Sequence, residues 1–159
     1  MKLIPQKAFK IFFETAARII LGSVFAVSGM IKLLEPAANF RATLYQYEVI
    51  PAVLVPALAA VLPWMEWILG VFILVGYALR PSSFVLGSFS FSLAAVIALS
   101  GKLGLDPSHT CGCFGEGGPQ LSYRQIFSLD IVNGFFGFFL WKFASSRLAL
   151  DRWLKPASK

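Results

Sequence analysis

Long apolar stretches separated by short polar segments dominate this chain. Four of these stretches are long enough to cross a bilayer as helices, which takes about 20 apolar residues each. They cover roughly residues 12–34, 52–79, 82–101 and 123–143, and an amphipathic segment at 39–51 lies between the first two. The pattern predicts an all-α integral membrane protein, a four-transmembrane-helix bundle that forms a single domain over residues 1–159. The segment 39–51 is predicted to lie at the membrane surface.

The composition argues against a soluble protein and against binding to nucleic acid. Hydrophobic residues make up 57% of the 159 residues, charged residues only 14%, and the mean hydropathy is +0.72. A soluble domain of this size needs far more charge on its surface. The net charge of +6 comes from basic residues that cluster at the ends of the predicted spans. The N-terminal lysines and the apolar run after them resemble a signal peptide, but the run continues to Leu34, so we expect a retained first span.

The distribution of basic residues predicts the orientation of the chain in the membrane. Four spans place both termini on one side, with ten basic residues there and four on the other side. The ten are Lys2, Lys7, Lys10, Arg18, Arg80, Lys142, Arg147, Arg152, Lys155 and Lys159, and the four are Lys32, Arg41, Lys102 and Arg124. Because positive charge collects on the cytoplasmic side, we expect cytoplasmic termini and an extracytoplasmic loop between spans three and four. A multi-pass protein of the bacterial inner membrane is the location that this predicts.

The loop between spans three and four contains the most reactive side chains of the protein. Residues 108–119 form a polar, glycine-rich segment that holds both cysteines and the only histidine. Cys111 and Cys113 can form a disulfide with each other only through a tight ring, and strained disulfides are easily reduced and exchanged. A purely stapling disulfide is a weak alternative, since loop-closure stabilisation is small for so short a loop. The spacing therefore favours thiol redox chemistry outside the membrane, where disulfides persist.

Other chemistry for the same loop stays open. His109 and Arg124 are candidate neighbours that stabilise a thiolate, although His109 can equally be a loop residue without a role and Arg124 a charge that ends a span. His109, Cys111 and Cys113 also offer three ligands to a soft metal such as Zn(II) or Cu(I), one fewer than a closed site needs. Two simple buried thiols are the remaining alternative.

Inside the predicted spans, Glu66 is the most informative residue. An acidic side chain near the bilayer midplane is costly and marks a functional site by default. Three roles are open: it stays protonated as a hydrogen-bond donor, it handles protons, or it forms a structural ion pair with Arg18, whose level in span one is about 7 Å of helix rise away. Asp130 in span four is expected to pair with Arg124 or Lys32. Trp64 and Trp67, with the phenylalanine run at 135–139, are candidates for a flat quinone pocket, and simple packing is the alternative.

Several short motifs, spread over nearly the whole chain, resemble the DoxX-like membrane proteins, and within them the MauE (methylamine utilisation) branch and its redox-associated relatives. The most specific is Cys111-Gly112-Cys113-Phe114-Gly115 between spans three and four. The others are Gly29-Met30-Ile31-Lys32, the segment from Tyr47 to Pro51, Pro63-Trp64-Met65-Glu66 with Gly70 and Gly76, and Arg124.

The resemblance implies a four-helix membrane bundle that works with thioredoxin-like extracytoplasmic partners in disulfide formation or reduction. A chain with two cysteines holds one disulfide at a time, so it needs an electron partner on each side. These partners are either two thioredoxin-like proteins, or one such protein and a quinone. Two alternatives are a non-enzymatic docking or maturation subunit and a small subunit of a quinol-oxidase type.

Overall fold

The computed structural model describes residues 6–47, 49–102 and 121–144, and all regular structure within these ranges is helical. The helices are α1 (Gln6–Leu34), α2 (Ala37–Gln46), α3 (Val55–Val75), α4 (Leu79–Lys102) and α5 (Tyr123–Phe143). All except α2 are long and apolar enough to cross a membrane. The structure therefore confirms the prediction of an all-helical, multi-pass membrane protein. The predicted Cys-x-Cys loop lies outside the described residues.

The turn between the second and third spans lies earlier than the sequence predicts. Helix α3 ends at Val75 because Gly76 adopts the left-handed conformation, with φ of 75°, and its N–H bonds back to Ile73 and Phe72. Glycine is the residue that takes this conformation without a steric penalty. Helix α4 then begins at Leu79, so Pro81 lies in its first turn rather than in the connection. Proline is tolerated there, because the N–H groups of a first turn have no partner within the helix.

The four long helices form two antiparallel pairs with close backbone contact. Helix α1 packs most extensively against α3, and α4 against α5. A Cβ added at Gly29 would lie 2.5 Å from the backbone nitrogen of Trp67, and one added at Gly70 would lie 2.5 Å from that of Ala26. In the other pair, a Cβ at Gly137 would lie 2.5 Å from the Cα of Gly87. Small residues thus allow the backbones to touch, as in many membrane helix interfaces.

The helix ends that flank the cysteine segment in the sequence lie at one end of the bundle. The end of α1, the start of α3, the end of α4 and the start of α5 lie together there, and we call this the loop end. Short helix α2 covers it, burying Phe40 and Leu44 against the start of α3. Next to them, Tyr47 packs with Ile97 of α4 and Ile126 of α5. The opposite half of the bundle holds a second core cluster of aliphatic and aromatic side chains, with Arg18 and Ser83 also buried in that half.

Candidate functional site

A buried ion pair joins α1 to α3 below the loop end. The Nζ of Lys32 lies 2.8 Å from Oε1 and 2.7 Å from Oε2 of Glu66. Ser28, one helical turn before Lys32 and on the same face of α1, donates its hydroxyl proton to Oε2 over 3.1 Å. Lys32 is 5% exposed and Glu66 2% exposed. The carboxylate is therefore neutralised by one cation and hydrogen-bonded from two residues of α1.

The expectation that Arg18 pairs with Glu66 is wrong. Arg18 instead donates from Nε to the carbonyl oxygen of Ile73 and from Nη2 to that of Leu74, over 3.3 and 3.2 Å. The glycine contacts explain the difference, since they place Gly29 level with Glu66. Arg18 precedes Gly29 by eleven residues, which is about 16 Å of helix rise, so it reaches the carbonyl groups at the end of α3.

The ammonium group of Lys32 also contacts α2. Its Nζ lies 4.9 Å from the ring centroid of Phe40, within the range of a cation–π interaction. Taking two charges out of water is costly, and their attraction offsets this cost only when the geometry is good and the hydrogen bonds are satisfied. Removing one partner would leave the other as an unpaired buried charge. Lys32 thus connects three helices, and replacing it is expected to destabilise the bundle.

Two cavities flank the ion pair, and the first lies under α2. This α2 cavity measures about 40 Å³ and is bounded by Lys32 and Glu66 together with α2, α3 and α4. Its other lining residues are Phe40, Thr43, Leu44, Tyr47, Ile50, Leu62, Phe89, Leu93, Val96 and Ile97. Most of these side chains are apolar, so the buried charges face a largely apolar space on this side.

The second cavity lies between the two helix pairs, and we call it the inner cavity. It measures about 20 Å³ and brings Ser28, Lys32 and Glu66 of the first pair together with Asp130 and Asn133 of α5. Val24, Phe25, Leu93 and Leu129 complete its lining. Asp130, expected to face Arg124 or Lys32, thus shares a cavity with Lys32. Arg124 lies at the exposed start of α5.

Asn133 is a site residue that the sequence analysis missed. It is 2% exposed, and its Nδ2 has no hydrogen-bond partner among the described residues. The sequence does contain an indication of its role. Asn133 follows Asp130 by three residues, and residues three apart share one face of a helix. The pairing of Lys32 with Glu66 was also missed, since Lys32 lies two residues from the end of α1 and resembles a loop charge.

The aromatic residues proposed for a quinone pocket make ring contacts with different partners in the described part of the chain. Trp64 and Trp67 meet edge to face at 6.4 Å, and Trp64 is 54% exposed. Neither indole lines the α2 cavity or the inner cavity. The phenylalanine run of α5 packs elsewhere, with ring contacts to Phe13, Phe84, Phe91 and Trp141. The quinone role of the two tryptophans stays a prediction.

The ion pair lies about two to three helical turns from the described residues that flank the predicted redox segment. His109, Cys111 and Cys113 fall outside the described residues, but Lys102 and Leu121 flank their segment at the loop end. From Leu93, which lines both cavities, nine residues of α4 lead to Lys102, or about 14 Å of helix rise. On the other side, Ser122 caps α5 in a capping box with Gln125. The buried pair is thus about two to three turns from the residues that anchor this segment.

Comparison with known proteins identifies a family. The model of a family described as methylamine utilisation protein MauE matches residues 10–145, a range that covers the four spans except for Phe9 at the start of the first, and includes the buried ion pair and both cysteines. No curated protein and no solved structure matches the chain.

Proposed function

The chain belongs to the MauE family, and on that premise we propose that it is a membrane thiol–disulfide redox protein. MauE is a membrane protein of methylamine utilisation, and Cys111 and Cys113 are the proposed exchange site of this member. One observation carries the proposal. The only two cysteines of the chain stand one residue apart, in the segment that joins α4 to α5 at the loop end. Such a pair forms a strained, exchangeable disulfide.

The proposed reaction moves two electrons between two cysteine pairs. The thiolate of one cysteine attacks the disulfide of a thioredoxin-like partner, which forms a mixed disulfide and releases one partner thiolate. The second cysteine of the chain then attacks the mixed disulfide. The partner leaves as a dithiol, while Cys111 and Cys113 are joined as a disulfide. A second thioredoxin-like protein in its dithiol form, or a quinol, then supplies two electrons and two protons to the Cys111–Cys113 disulfide and completes the cycle. In the opposite direction every step reverses, and a disulfide or a quinone receives the same two electrons and two protons.

His109, Arg124 and Glu66 have proposed supporting roles in this reaction. His109 and Arg124 stabilise the attacking thiolate by their positive charge, which raises the fraction of thiolate present. Glu66 exchanges the protons that accompany dithiol oxidation. Its burial beside Lys32, two to three turns from the loop end, supports this assignment, because buried ionisable groups in membrane helices mark proton and substrate pathways.

The distribution of charge supports an extracytoplasmic position for the cysteines. Arg18 and Lys32 lie within the spanning helix α1 and are buried in the folded bundle, so neither is counted here as a loop charge. With these two residues set aside, nine basic residues remain on the side of the termini and three on the side of the loop end. The bias still favours cytoplasmic termini.

Covalent trapping tests the proposal directly. Cys111→Ser and Cys113→Ser each remove one thiol, and the variant that keeps the attacking cysteine cannot resolve its mixed disulfide. We expect one of the two variants to accumulate a covalent complex with a thioredoxin-fold protein, visible on a non-reducing gel and dissolved by dithiothreitol. The double variant is the matched control and should trap nothing. If neither single variant traps a partner under oxidising conditions, the redox proposal is wrong and a docking role gains support.

A further inference from the structure

The inner cavity combines an unsatisfied amide with a buried carboxylate. Asn133 is 2% exposed, and its Nδ2 donates to no group in the described part of the structure. Most buried polar side chains in proteins have a partner, either in the protein or in an ordered water. Within a membrane, bulk water cannot take that place. The amide therefore indicates a ligand in the cavity that it lines.

The size and lining of the inner cavity fit one particular ligand. A cavity needs about 10–15 Å³ and two to four polar partners to hold a water molecule. The inner cavity measures about 20 Å³, and Asn133, Glu66 and Ser28 are among its polar lining groups. It is too small for an organic molecule. The α2 cavity is larger, but its lining is mainly apolar.

We propose that the inner cavity binds one ordered water that links Asn133 to Glu66. The Nδ2 of Asn133 donates to the water oxygen, and the water donates to Oε1 of Glu66, which accepts from Lys32 and has a second lone pair. The carboxyl group of Asp130, lining the same cavity, accepts the second O–H. This water joins the two helix pairs by hydrogen bonds at the level of the ion pair.

The bound water provides a path for protons to Glu66. Proton exchange with a carboxyl group buried in an apolar bundle requires a carrier within hydrogen-bond distance. Asp130 lies six residues from Arg124 at the loop end, which is about 9 Å of helix rise. The water thus links Glu66 to Asp130, which lies closer to the loop end than the ion pair does. Its role in turnover rests on the proposed redox function, whereas the binding of the water does not.

Asparagine labelling gives a direct test, because the chain has only two asparagines, Asn39 and Asn133. Protein labelled with ¹⁵N-asparagine in nanodiscs shows two side-chain amides, and Asn39→Gln removes one of them and assigns the other. We expect a cross-peak between the Asn133 side-chain amide protons and water in a rotating-frame Overhauser (ROE) spectrum. Its sign should be that of dipolar transfer, which reports a nearby bound water, and not that of chemical exchange. Cross-peaks from this amide to protein protons alone would overturn the proposal.

Infrared spectroscopy supplies a second readout. A water confined in the cavity should give a sharp O–H stretching band that shifts in H₂¹⁸O and disappears in Asn133→Leu. Ser83→Ala is the matched control, because the Ser83 hydroxyl is also buried without a partner among the described residues but lies outside the inner cavity. Persistence of the band in Asn133→Leu would contradict the site.

The role in turnover is tested separately. In Asn133→Leu we expect disulfide exchange with a dithiol partner to slow at least tenfold, while trapping by the single cysteine variants is unchanged. An unchanged exchange rate would overturn the proton path alone. Failure of trapping in the otherwise native chain would overturn the redox proposal instead.

Discussion

Glu66 and Lys32 show how one buried residue determines what its neighbour must be. A carboxylate that is almost fully buried in a membrane helix needs a cation, and Lys32 contacts both of its oxygens. The pair carries no net charge, so its cost arises mainly when one member is removed. The stability of the bundle is therefore expected to depend on the two residues together.

Neutralising one member should destabilise the protein far more than neutralising both. Glu66→Gln leaves the Lys32 ammonium without its counter-charge, and we expect the free energy of unfolding to fall by about 3 kcal/mol. Adding Lys32→Met removes the stranded charge and should recover most of that loss. Thermal unfolding of the purified variants in detergent measures both effects.

Arg18 gives the control for this experiment. Because Arg18 bonds to carbonyl oxygens of α3 and not to Glu66, Arg18→Gln should not rescue Glu66→Gln. Rescue by Arg18→Gln and not by Lys32→Met would contradict the pairing described here. If the stable Glu66→Gln/Lys32→Met variant also retains full exchange activity, the proton-handling role of Glu66 is excluded.

At the scale of the helices, the glycines of α1 and α3 fix how the two helices sit against each other. A methyl group at Gly70 would lie 2.5 Å from the backbone nitrogen and 3.0 Å from the Cα of Ala26. Because these are backbone atoms, the clash can be relieved only by moving one of the helices. Overpacking of this kind typically costs about 1–3 kcal/mol. It would also shift Glu66 relative to Lys32, since both lie close to this contact.

Gly70→Ala is therefore expected to lower the free energy of unfolding by about 2 kcal/mol, measured by thermal or denaturant unfolding in detergent. Gly101→Ala is the matched control, because Gly101 lies in α4 but is exposed. There the higher helix propensity of alanine should leave stability unchanged or slightly raised. Equal destabilisation by both substitutions would argue against a specific contact at Gly70.

The helices could be predicted from the sequence, but their relative positions could not. Apolar length alone identifies four spans, because the bilayer sets the length of a spanning helix. The partner of Glu66 depends instead on the vertical register between α1 and α3, which the contacts of Gly29 and Gly70 set. No local sequence pattern reports the register between two separate helices. For this reason the sequence suggests Arg18 as the ion-pair partner of Glu66, whereas the structure has Lys32 in that place. The spacing of Asn133 from Asp130 indicates a shared helix face, but the cavity that Asn133 shares with Glu66 depends on how α5 packs against α1 and α3.

For the whole molecule, the topology can be tested with a membrane-impermeant maleimide. We expect intact cells to show labelling of reduced Cys111 or Cys113, because the charge bias predicts that the loop end lies outside the cytoplasm. As the control, Tyr77→Cys in a Cys111→Ser/Cys113→Ser background puts one thiol in the α3–α4 turn, at the opposite end of the bundle, where Tyr77 is exposed. This thiol should react only after lysis. The reverse pattern would invert the orientation and remove the support for extracytoplasmic thiol exchange.

The position of Lys32 also has a consequence for the biogenesis of the protein. When α1 leaves the ribosome, α3 has not been made, so the ammonium group enters the translocon without its carboxylate. A lysine in the middle of a spanning segment would cost about 3 kcal/mol at this stage. Lys32 lies two residues before the end of α1, close enough for its long side chain to extend to the lipid headgroups until α3 arrives. We therefore expect the ion pair to form as a late step of assembly, so that a nascent chain truncated before Glu66 leaves Lys32 open to amine-reactive reagents.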